Sequence, residues 1–491
     1  MGVKRFGINY PMVLRVIGWL LMIEACFLLF PAATCIIYEE NADFKAFAIS
    51  AAVTVVSGCA MTFGIRPSRH EMGKREGFLL TACVWVFFTI FGMLPFMLCK
   101  NPLSLSDAFF EGMSGFTTTG ATVLDSVEHL GHGMQLWRCL MQWIGGMGII
   151  LFTLAVLPML NYSGGMQMFN AEVTGITHDK IRPRISQTAK GLWGVYFALT
   201  AALTILLWVG PMDFFDSICH AFASISTGGY STRDNSIGAW NSSYVTAVIT
   251  VFMFLGGVNF ALLFKAARGN VKSLWSNDVF RAYIIIIGVA YILFVTSIVG
   301  KGLYTGIASV TLDPIFQIIS TITSTGLTAN NFEEWGTFVL AILIVLMFFG
   351  ACAGSTSGGA KIDRLIYLFK NTRNELYRCV HPSAILSVRV NGKVIPTDTV
   401  NKVIAFLCIY VMVIAVGGIV LTGLNVPLVD AFFSSFSCVS NTGLGAGVTG
   451  YGENYGAIPD LGKWILSLLM LIGRLELFTV LILFTPGFWR K

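Results

Sequence analysis

The chain has 491 residues, of which 55% are hydrophobic and only 12% are charged. Soluble globular proteins contain about 45–50% apolar and about 25% charged residues, so this composition excludes an ordinary soluble protein. The formal net charge of +6 does not indicate a nucleic-acid partner, because the basic residues are grouped in alternate loops between apolar segments.

Apolar segments of about 20 residues recur along the whole sequence, which predicts a chain that crosses a membrane many times as helices. The first two segments cover about 11 to 38 and 44 to 64. The long apolar run from Val16 to Ile37 follows Lys4, Arg5 and Arg15, as in a signal peptide, but its length and the span behind it favour a retained helix. Eleven cysteines are scattered through the apolar segments, which is typical of small core residues rather than a disulfide framework or a zinc site.

The charged loops predict the orientation of the chain, since cytoplasmic loops carry an excess of lysine and arginine. The basic clusters are Arg66, Arg69, Lys74 and Arg75; Lys180, Arg182, Arg184 and Lys190; Lys265, Arg268, Lys272 and Arg281; and Lys370, Arg373, Arg378, Arg389 and Lys393. The loops between them carry Glu39, Glu40 and Asp43, then Asp125 and Glu128, then Glu333 and Glu334, and then Glu453 and Asp460. We therefore place the basic loops in the cytoplasm and the acidic loops outside.

One ungapped pattern, which starts at an aspartate and ends at a glycine, occurs four times after the first two helices. The copies are Asp107 to Gly120, Asp216 to Gly229, Asp313 to Gly326 and Asp430 to Gly443. The apolar part of each copy covers about 9 to 11 residues, or roughly 15 Å of helix, which is too short to cross the hydrocarbon. Each copy must therefore enter the membrane and turn back. The flanking predicted spans are about 77 to 99 and 135 to 158, 190 to 210 and 241 to 265, 281 to 300 and 334 to 369, and 400 to 424 and 461 to 485.

Each unit contains two crossings, so successive units enter from the same side and can surround one axis. The sequence predicts an all-α polytopic membrane protein with four membrane-pore-loop-membrane repeats in a pseudo-fourfold arrangement around one pore, after an N-terminal helix pair. The predicted boundaries are 1–70 for that pair, 71–160 for repeat one, 161–268 for a cytoplasmic loop and repeat two, 269–372 for repeat three with an intramembrane loop, and 373–491 for a cytoplasmic loop and repeat four.

The aspartate that opens each repeat is predicted to cap the half-helix, because a carboxylate accepts hydrogen bonds from the first backbone N–H groups and suits the positive end of the dipole. Pro314 directly follows Asp313, and proline is favoured at the first helical position.

Uncharged residues form the polar turn at the end of each half-helix. They are Thr117, Thr118, Thr119 and Gly120; Ser226, Thr227, Gly228 and Gly229; Thr323, Ser324, Thr325 and Gly326; and Ser440, Asn441, Thr442 and Gly443. Irregular backbone at membrane depth is tolerated only when it is buried in protein or lines a water-filled cavity. Glycine permits φ > 0, so carbonyls can converge and replace the hydration shell of a monovalent cation, and half-helix C-termini add partial negative charge. One such turn alone would be an ordinary loop, whereas four in register predict a filter. A site for a divalent ion would favour a ring of carboxylates. None of these turns contains aspartate or glutamate, so a monovalent ion is favoured.

The second span of repeat three is predicted to break inside the bilayer, because its helix from Val339 runs into a glycine-rich segment after about 12 residues, or roughly 18 Å. The predicted gating residues there are Gly350, Gly354, Ser355, Thr356, Ser357, Gly358 and Gly359. Gly354 to Lys361 resembles a phosphate loop, but Ala360 stands where that motif needs lysine. Close helix packing through small residues is a further alternative. The favoured interpretation is a flexible loop across the pore below the filter.

Arg474 is predicted midway through the last span, where an unpaired arginine costs at least about 2.5–3.5 kcal/mol. Glu476 is two residues further on and so points to a different helix face. We expect Arg474 to face the axis and to hold carbonyls of the glycine-rich loop. Pairing with a buried carboxylate is the alternative.

Two other classes of protein fit less well. An enzyme is not expected, since the chain has no HExxH or GxSxG motif and only six histidines, of which His220 in the second half-helix suits packing or a local polar contact. A secondary transporter of an organic solute also uses broken helices, but that class does not explain four polar turns in identical register.

The segments FTTTGAT, ISTGGYST, TSTGLTA and SNTGLG resemble the four filter loops of the Trk/Ktr/HKT superfamily of potassium transporters. With its N-terminal helix pair, the chain resembles the bacterial TrkH branch more than the shorter KtrB branch, and the resemblance covers nearly the entire sequence. It implies uptake of K⁺ as the transported ion, with no organic cofactor on this chain, by a multi-pass protein of the bacterial cytoplasmic (inner) membrane. The implied partners are membrane lipid, a second copy in a homodimer, and a cytosolic TrkA-type regulatory subunit that binds NAD, ATP or ADP; no nucleic acid is expected.

The resemblance also implies which residues bind the ion and which form the gate. The expected metal-binding residues are Thr118, Thr119, Gly120, Thr227, Gly228, Gly229, Ser324, Thr325, Gly326, Asn441, Thr442 and Gly443. Family members with serine in place of Gly120 permeate sodium, so glycine here favours potassium, and the intramembrane loop of TrkH-like proteins acts as a gate. Transport of sodium or of a small solute is the alternative function. The sequence leaves passive flow and coupling to protons or sodium open, and it suggests the basic loops around 160 to 190, 266 to 280 and 370 to 395 as the partner site.

Overall fold

A computed structural model describes residues 8–65, 72–148, 185–301 and 307–490. Most of these residues are helical, and the predicted helical membrane fold is confirmed. The one sheet in the described part is a two-stranded antiparallel hairpin of β1 (Arg389–Val390) and β2 (Lys393–Val394). The predicted basic loops at 66–71 and 160–184, and the end of the span predicted from 135 to 158, lie outside the described residues.

Two long helices, α1 (Tyr10–Ile37) and α2 (Asn41–Gly64), precede the repeats and pack on each other as a hairpin. Gly18 and Gly58 allow the close contact: an added Cβ on Gly18 would lie only 2.7 Å from the Gly58 carbonyl oxygen. The predicted N-terminal helix pair is therefore present.

The helices of the four predicted repeats follow in chain order. Repeat one contains α3 (Lys74–Gly92), α4 (Leu94–Leu98), α5 (Leu105–Phe116) and α6 (His132–Gly146). Repeat two contains α7 (Ile185–Val209), α8 (Phe214–Ile225), α9 (Ser243–Gly256) and α10 (Phe260–Ala267). Repeat three contains α11 (Lys272–Trp275), α12 (Asp278–Lys301), α13 (Ile307–Ile322), α14 (Thr337–Phe349) and α15 (Ile362–Val380). Repeat four contains α16 (Thr397–Gly423), α17 (Leu428–Ser440), α18 (Asp460–Arg474), α19 (Phe478–Leu481) and α20 (Pro486–Trp489).

Within the described ranges, six helices are long and apolar enough to cross a membrane, or up to eight if each of two bent pairs counts as one span. The six are α1, α2, α3 extended to Leu98, α7 from Lys190, α12 to Gly300, and α16. The shorter apolar helices include the half-helices α8, α13 and α17. The chain is thus a polytopic membrane protein.

In the described part of the chain, the second helices of repeats two, three and four bend or break, so the segments from 241 to 265 and from 461 to 485 are bent rather than the straight spans predicted. The axes of α9 and α10 differ by 106°, and the chain bends by 112° after α18. Asn259 causes the first bend, because its side chain caps α10 by accepting a hydrogen bond from the Ala261 N–H at 2.8 Å. Positive φ at Glu476 and Leu477 causes the second. Arg474 is therefore the last residue of α18 rather than the middle of a span.

The aspartates that open the pattern do not cap their half-helices, which corrects the prediction. Ser104 and Asp213 are the caps of α5 and α8, and each accepts a hydrogen bond from the backbone N–H three residues on. Helix α13 starts at Ile307, so Pro314 lies inside it. Asp107, Asp216 and Asp430 occupy the first helical turn, where their charge still suits the helix dipole.

The carboxylates of these aspartates instead hold other segments. Asp107 forms an ion pair with Lys463 of repeat four at 2.5 Å. Asp216 accepts a hydrogen bond from the Thr232 hydroxyl at 2.6 Å, and Asp430 accepts one from the Val448 N–H at 3.1 Å. In repeats two and four the aspartate thus ties the start of the half-helix to the segment that follows the polar turn.

Candidate cation pathway

The four polar turns have the same backbone conformation. In each turn the residue two positions before the last glycine has φ between 52° and 55°, and the glycine itself has φ between 75° and 84°. The first set is Thr118, Thr227, Ser324 and Asn441, and the second is Gly120, Gly229, Gly326 and Gly443. A left-handed φ is unfavourable for residues other than glycine. Because four corresponding residues all adopt it, the surrounding structure must impose this backbone conformation on each turn.

The end of each half-helix produces this turn. The N–H of the residue before the glycine donates back to the carbonyl five residues earlier, at 2.8–2.9 Å in all four turns. These bonds are Thr119 to Ser114, Gly228 to Ala223, Thr325 to Ser320 and Thr442 to Ser437. They satisfy carbonyls that would otherwise be orphaned where the helix stops.

The turns meet in a ring. Each of the four glycines lies against the carbonyl oxygen that precedes the corresponding glycine of the next repeat. The contacts join Gly120 to Gly228, Gly229 to Thr325, Gly326 to Thr442, and Gly443 to Thr119. The last contact returns to repeat one, so the four turns enclose a single axis. The structure thus brings together the twelve residues predicted to bind the ion, and all the turn residues other than the glycines are buried.

Two cavities are lined in part by residues of the turns. A cavity of about 150 Å³ is lined by Gly120, Gly229, Gly326 and Gly443, together with acidic side chains of the loops predicted to lie outside. A second cavity, of about 100 Å³, is lined by Asn441, Gly473, Arg474 and the glycine-rich segment. The four ring glycines thus line the first cavity, and Asn441 of the fourth turn lines the second.

The glycine-rich segment lies directly against the inner side of the ring. Helix α14 ends at Phe349, and α15 starts at Ile362, so the predicted break is confirmed. The Gly358 N–H donates to the Ser324 hydroxyl at 2.5 Å, and the Gly359 N–H donates to the Ser440 carbonyl at 3.0 Å. The segment therefore contacts turns three and four.

The segment also contacts repeat two. The Thr356 hydroxyl donates to the Ile225 carbonyl at 3.1 Å, and the Phe260 N–H donates to the Gly354 carbonyl at 3.0 Å. Gly350, Gly354 and Gly359 all have positive φ. Positive φ at these three glycines is incompatible with a continuous helix through the segment.

Arg474 holds this segment from the side of repeat four. Its guanidinium donates to the Thr356 carbonyl at 2.9 Å, and to the carbonyls of Gly145 and Gly146 at 2.6 and 3.0 Å. The hydrogen bond to Thr356 agrees with the expectation that Arg474 binds carbonyls of the loop. Glu476 forms an ion pair with Arg364 at 2.5 Å.

Comparison with known proteins identifies the family. A family model described as "TrkH: Cation transport protein" matches residues 43–491. The chain is 37% identical over 489 residues to the Trk system potassium uptake protein TrkH of Escherichia coli strain K12, covering 98% of this chain and 100% of the relative. The corresponding protein of Vibrio parahaemolyticus is 37% identical over 492 residues, with the same coverage. The crystal structure of the potassium transporter TrkH from Vibrio parahaemolyticus has a TM-score of 0.88 and 34% identity, covering 98% of this chain and 100% of that one.

The chain belongs to the TrkH family of cation transport proteins. The resemblance seen in the four filter-like segments is thereby confirmed.

Two polar residues of this TrkH-family chain contact the ring or the glycine-rich segment but were not predicted. Lys361 is buried, and its ammonium donates to the Ser357 carbonyl and, at 3.2 Å, to the Ser357 hydroxyl. The position of Lys361 directly after the glycine-rich segment is the sequence feature from which this contact could have been predicted. Gln142 was missed as well, because a lone glutamine in an apolar helix gives no spacing pattern; it donates to the Gly228 carbonyl at 2.7 Å.

A buried ion pair behind turn one was also missed. Arg138 of α6 and Glu111 of α5 are 1% and 0% exposed, and their Nε and Oε1 atoms are 2.8 Å apart. The occurrence of two opposite charges in apolar helices is the sequence feature that could have predicted the pair. Their separation of 27 residues gives no local pattern that links them.

We expect Glu111→Gln to lower the free energy of unfolding in detergent by about 3–5 kcal/mol, because it leaves the Arg138 charge buried without its partner. The matched control is Glu375→Gln, whose ion pair with Arg378 has an N–O distance of 2.5 Å but has side chains 53% and 38% exposed. That variant should lose only about 0.2–1 kcal/mol. Unfolding curves of the purified variants measure both losses, and equal losses would contradict the assigned role of the buried pair.

Proposed function

We propose that this chain takes up potassium ions across the bacterial cytoplasmic membrane through one pore, whose selectivity filter is the ring of four polar turns. The observation that carries the proposal is the closed circle of contacts from Gly120 through repeats two, three and four back to Thr119. Such a ring places backbone oxygens around one axis, where they can replace the water around an alkali cation.

The chemistry of the ring favours a monovalent ion. None of the twelve turn residues is charged, whereas a site for a divalent ion would be expected to contain carboxylates. The half-helices α5, α8, α13 and α17 end at the ring, and their C-terminal dipoles add partial negative charge there. Gly120 favours potassium over sodium, and the relatives named above are potassium uptake proteins.

The glycine-rich segment is proposed to gate this pore. It contacts turns three and four and lines the second cavity, and Arg474 connects it to the second helices of repeats one and four. Displacement of the segment would open a continuous path, which requires that the Arg474 hydrogen bond to Thr356 break.

Regulation is proposed to come from outside this chain. The names of the relatives place them in a Trk system, and a cytosolic TrkA-type nucleotide-binding subunit is the expected partner of a homodimer of this chain. The described basic residues around 266–280 and 370–395 are candidates for its contact surface.

Growth of a potassium-uptake-deficient bacterium at low potassium tests the proposed function. Expression of this chain, together with the host's regulatory subunit, should restore growth, and purified protein in liposomes should take up ⁸⁶Rb⁺ faster than ²²Na⁺. Absence of rescue despite normal membrane levels would contradict uptake, and preferential uptake of ²²Na⁺ would support the alternative of a sodium transporter.

A further inference from the structure

Helix α6 of repeat one carries two side chains that reach the backbone of repeat two. Gln142 donates to the Gly228 carbonyl at 2.7 Å and accepts a hydrogen bond from the Tyr230 N–H at 3.1 Å. Arg138, one turn earlier on the same helix face, donates to the Ser231 carbonyl at 3.4 Å. These two side chains therefore contact turn two and the segment that follows it.

The other end of this network is anchored in repeat one. Arg138 pairs with Glu111, and its guanidinium also donates to the Thr122 hydroxyl at 3.2 Å. Glu111 in turn accepts a hydrogen bond from the Val123 N–H at 3.1 Å. Thr122 and Val123 follow Gly120 almost directly, so the network connects the exit of turn one with the exit of turn two.

Tyr230 closes the network from repeat two. The centroid of its ring lies 4.1 Å from the Arg138 guanidinium carbon. Its hydroxyl lies 3.1 Å from the Glu111 carbonyl oxygen and 3.3 Å from that of Ala121, so it donates to the backbone of repeat one. The two turns are thus joined by side chains that are themselves buried and hydrogen-bonded.

Gln142 also occupies a space that a hydroxyl residue fills in the other repeats. Turns one, three and four carry threonine before the last glycine, and its hydroxyl lies 2.7–2.8 Å from that of the residue two positions earlier. Turn two has Gly228 there, and an added Cβ would lie 2.6 Å from the Gln142 side-chain oxygen and 2.8 Å from its Cβ. The amide thus occupies the space of the missing threonine side chain and bonds the backbone on both sides of Gly229 instead.

We propose that Gln142 and Arg138, with Glu111 behind them, are positioning residues that fix the distance between turns one and two and thereby set the discrimination between alkali cations. The inference rests on the proposed filter, since the Gly228 carbonyl is the ring oxygen that lies against Gly120. A buried hydrogen-bond network of this kind holds one geometry because each of its members would be costly to leave unpaired.

Uptake of ⁸⁶Rb⁺ and ²²Na⁺ by liposomes containing Gln142→Leu tests the inference. Leucine keeps much of the volume but cannot bond Gly228 or Tyr230, so the sodium-to-rubidium flux ratio should rise about fivefold, the scale of one neutral hydrogen bond. The matched control is Gln135→Leu, two turns earlier on α6, where the amide donates to the Val127 carbonyl at 2.8 Å and, at 3.5 Å, to the Thr232 carbonyl, but to none of the turn residues. Its flux ratio should equal that of the wild type.

Restoration of the missing hydroxyl separates positioning from general destabilisation. The double variant Gln142→Gly with Gly228→Thr makes room for the threonine that the other turns carry, and it should bring the ratio back toward the wild-type value.

A Gln142→Leu ratio within twofold of wild type would overturn the inference, while normal rubidium uptake would leave the proposed pore intact. If Gln142→Leu fails to fold, Gly228→Ala displaces the amide without removing it, and an unchanged ratio in that variant would equally overturn the inference.

Discussion

Replacement of Arg474 by alanine is expected to raise the basal ⁸⁶Rb⁺ flux of the purified protein in liposomes by about tenfold or more. The guanidinium donates to the Thr356 carbonyl of the glycine-rich segment at 2.9 Å and to carbonyls of Gly145 and Gly146 on the opposite side. A hydrogen bond from a charged donor is worth about 1.5–3 kcal/mol, and each 1.4 kcal/mol shifts a two-state equilibrium tenfold. Its loss should therefore favour the displaced segment.

Two controls make this result specific to the gate. Arg474→Lys retains the charge but lacks the planar set of donors that reaches both sides, so its flux should lie between those of the wild type and Arg474→Ala. Arg281→Ala removes an equal charge from an exposed position whose guanidinium binds the Trp275 carbonyl at 2.5 Å, and it should leave flux unchanged. Wild-type flux in a folded Arg474→Ala protein would contradict the proposed gate.

Gly326→Ala should abolish most uptake, with a loss of at least about tenfold. Gly326 has a φ of 79°, which is strained for alanine at about 1–2 kcal/mol. An added Cβ would also collide with the Thr442 carbonyl oxygen of the neighbouring turn. Because that oxygen belongs to the ring, the collision can be relieved only by moving a proposed ion ligand.

Gly288→Ala is the matched control for this substitution. Gly288 lies in α12 of the same repeat, has no positive φ, and has open space where a Cβ would stand. Alanine is also the better helix former by about 1 kcal/mol, so this variant should keep its flux and stability. A Gly326→Ala protein with wild-type uptake would contradict the importance of the ring geometry.

The repeat pattern was enough to predict the half-helices and the polar turns, and the glycine-rich segment inside an apolar span was enough to predict the break at Gly350. The sequence did not predict the left-handed φ of Thr118, Thr227, Ser324 and Asn441. These residues adopt a left-handed φ because the hydrogen-bonded turn that ends each half-helix requires this conformation. The conformation is intrinsically unfavourable for residues with a side chain.

The errors arose where tertiary contacts override local signals. Asp107 is of a residue type that is favoured at helix N-caps, but Ser104 caps α5. The Asp107 carboxylate is therefore available to pair with Lys463. The apolar run from 461 to 485 suggested one span, yet the backbone at Glu476 and Leu477 bends it directly after Arg474. Glu111 and Arg138 meet only through the packing of α5 on α6, so no local pattern could reveal their pairing.

Anomalous diffraction from crystals of this protein grown in rubidium tests the central claim most directly, since Rb⁺ replaces K⁺ and can be located independently of the protein atoms. A rubidium peak on the axis, coordinated by the backbone oxygens of Thr119, Gly228, Thr325 and Thr442, is the predicted result. Rubidium bound elsewhere while this ring stayed empty would contradict the account.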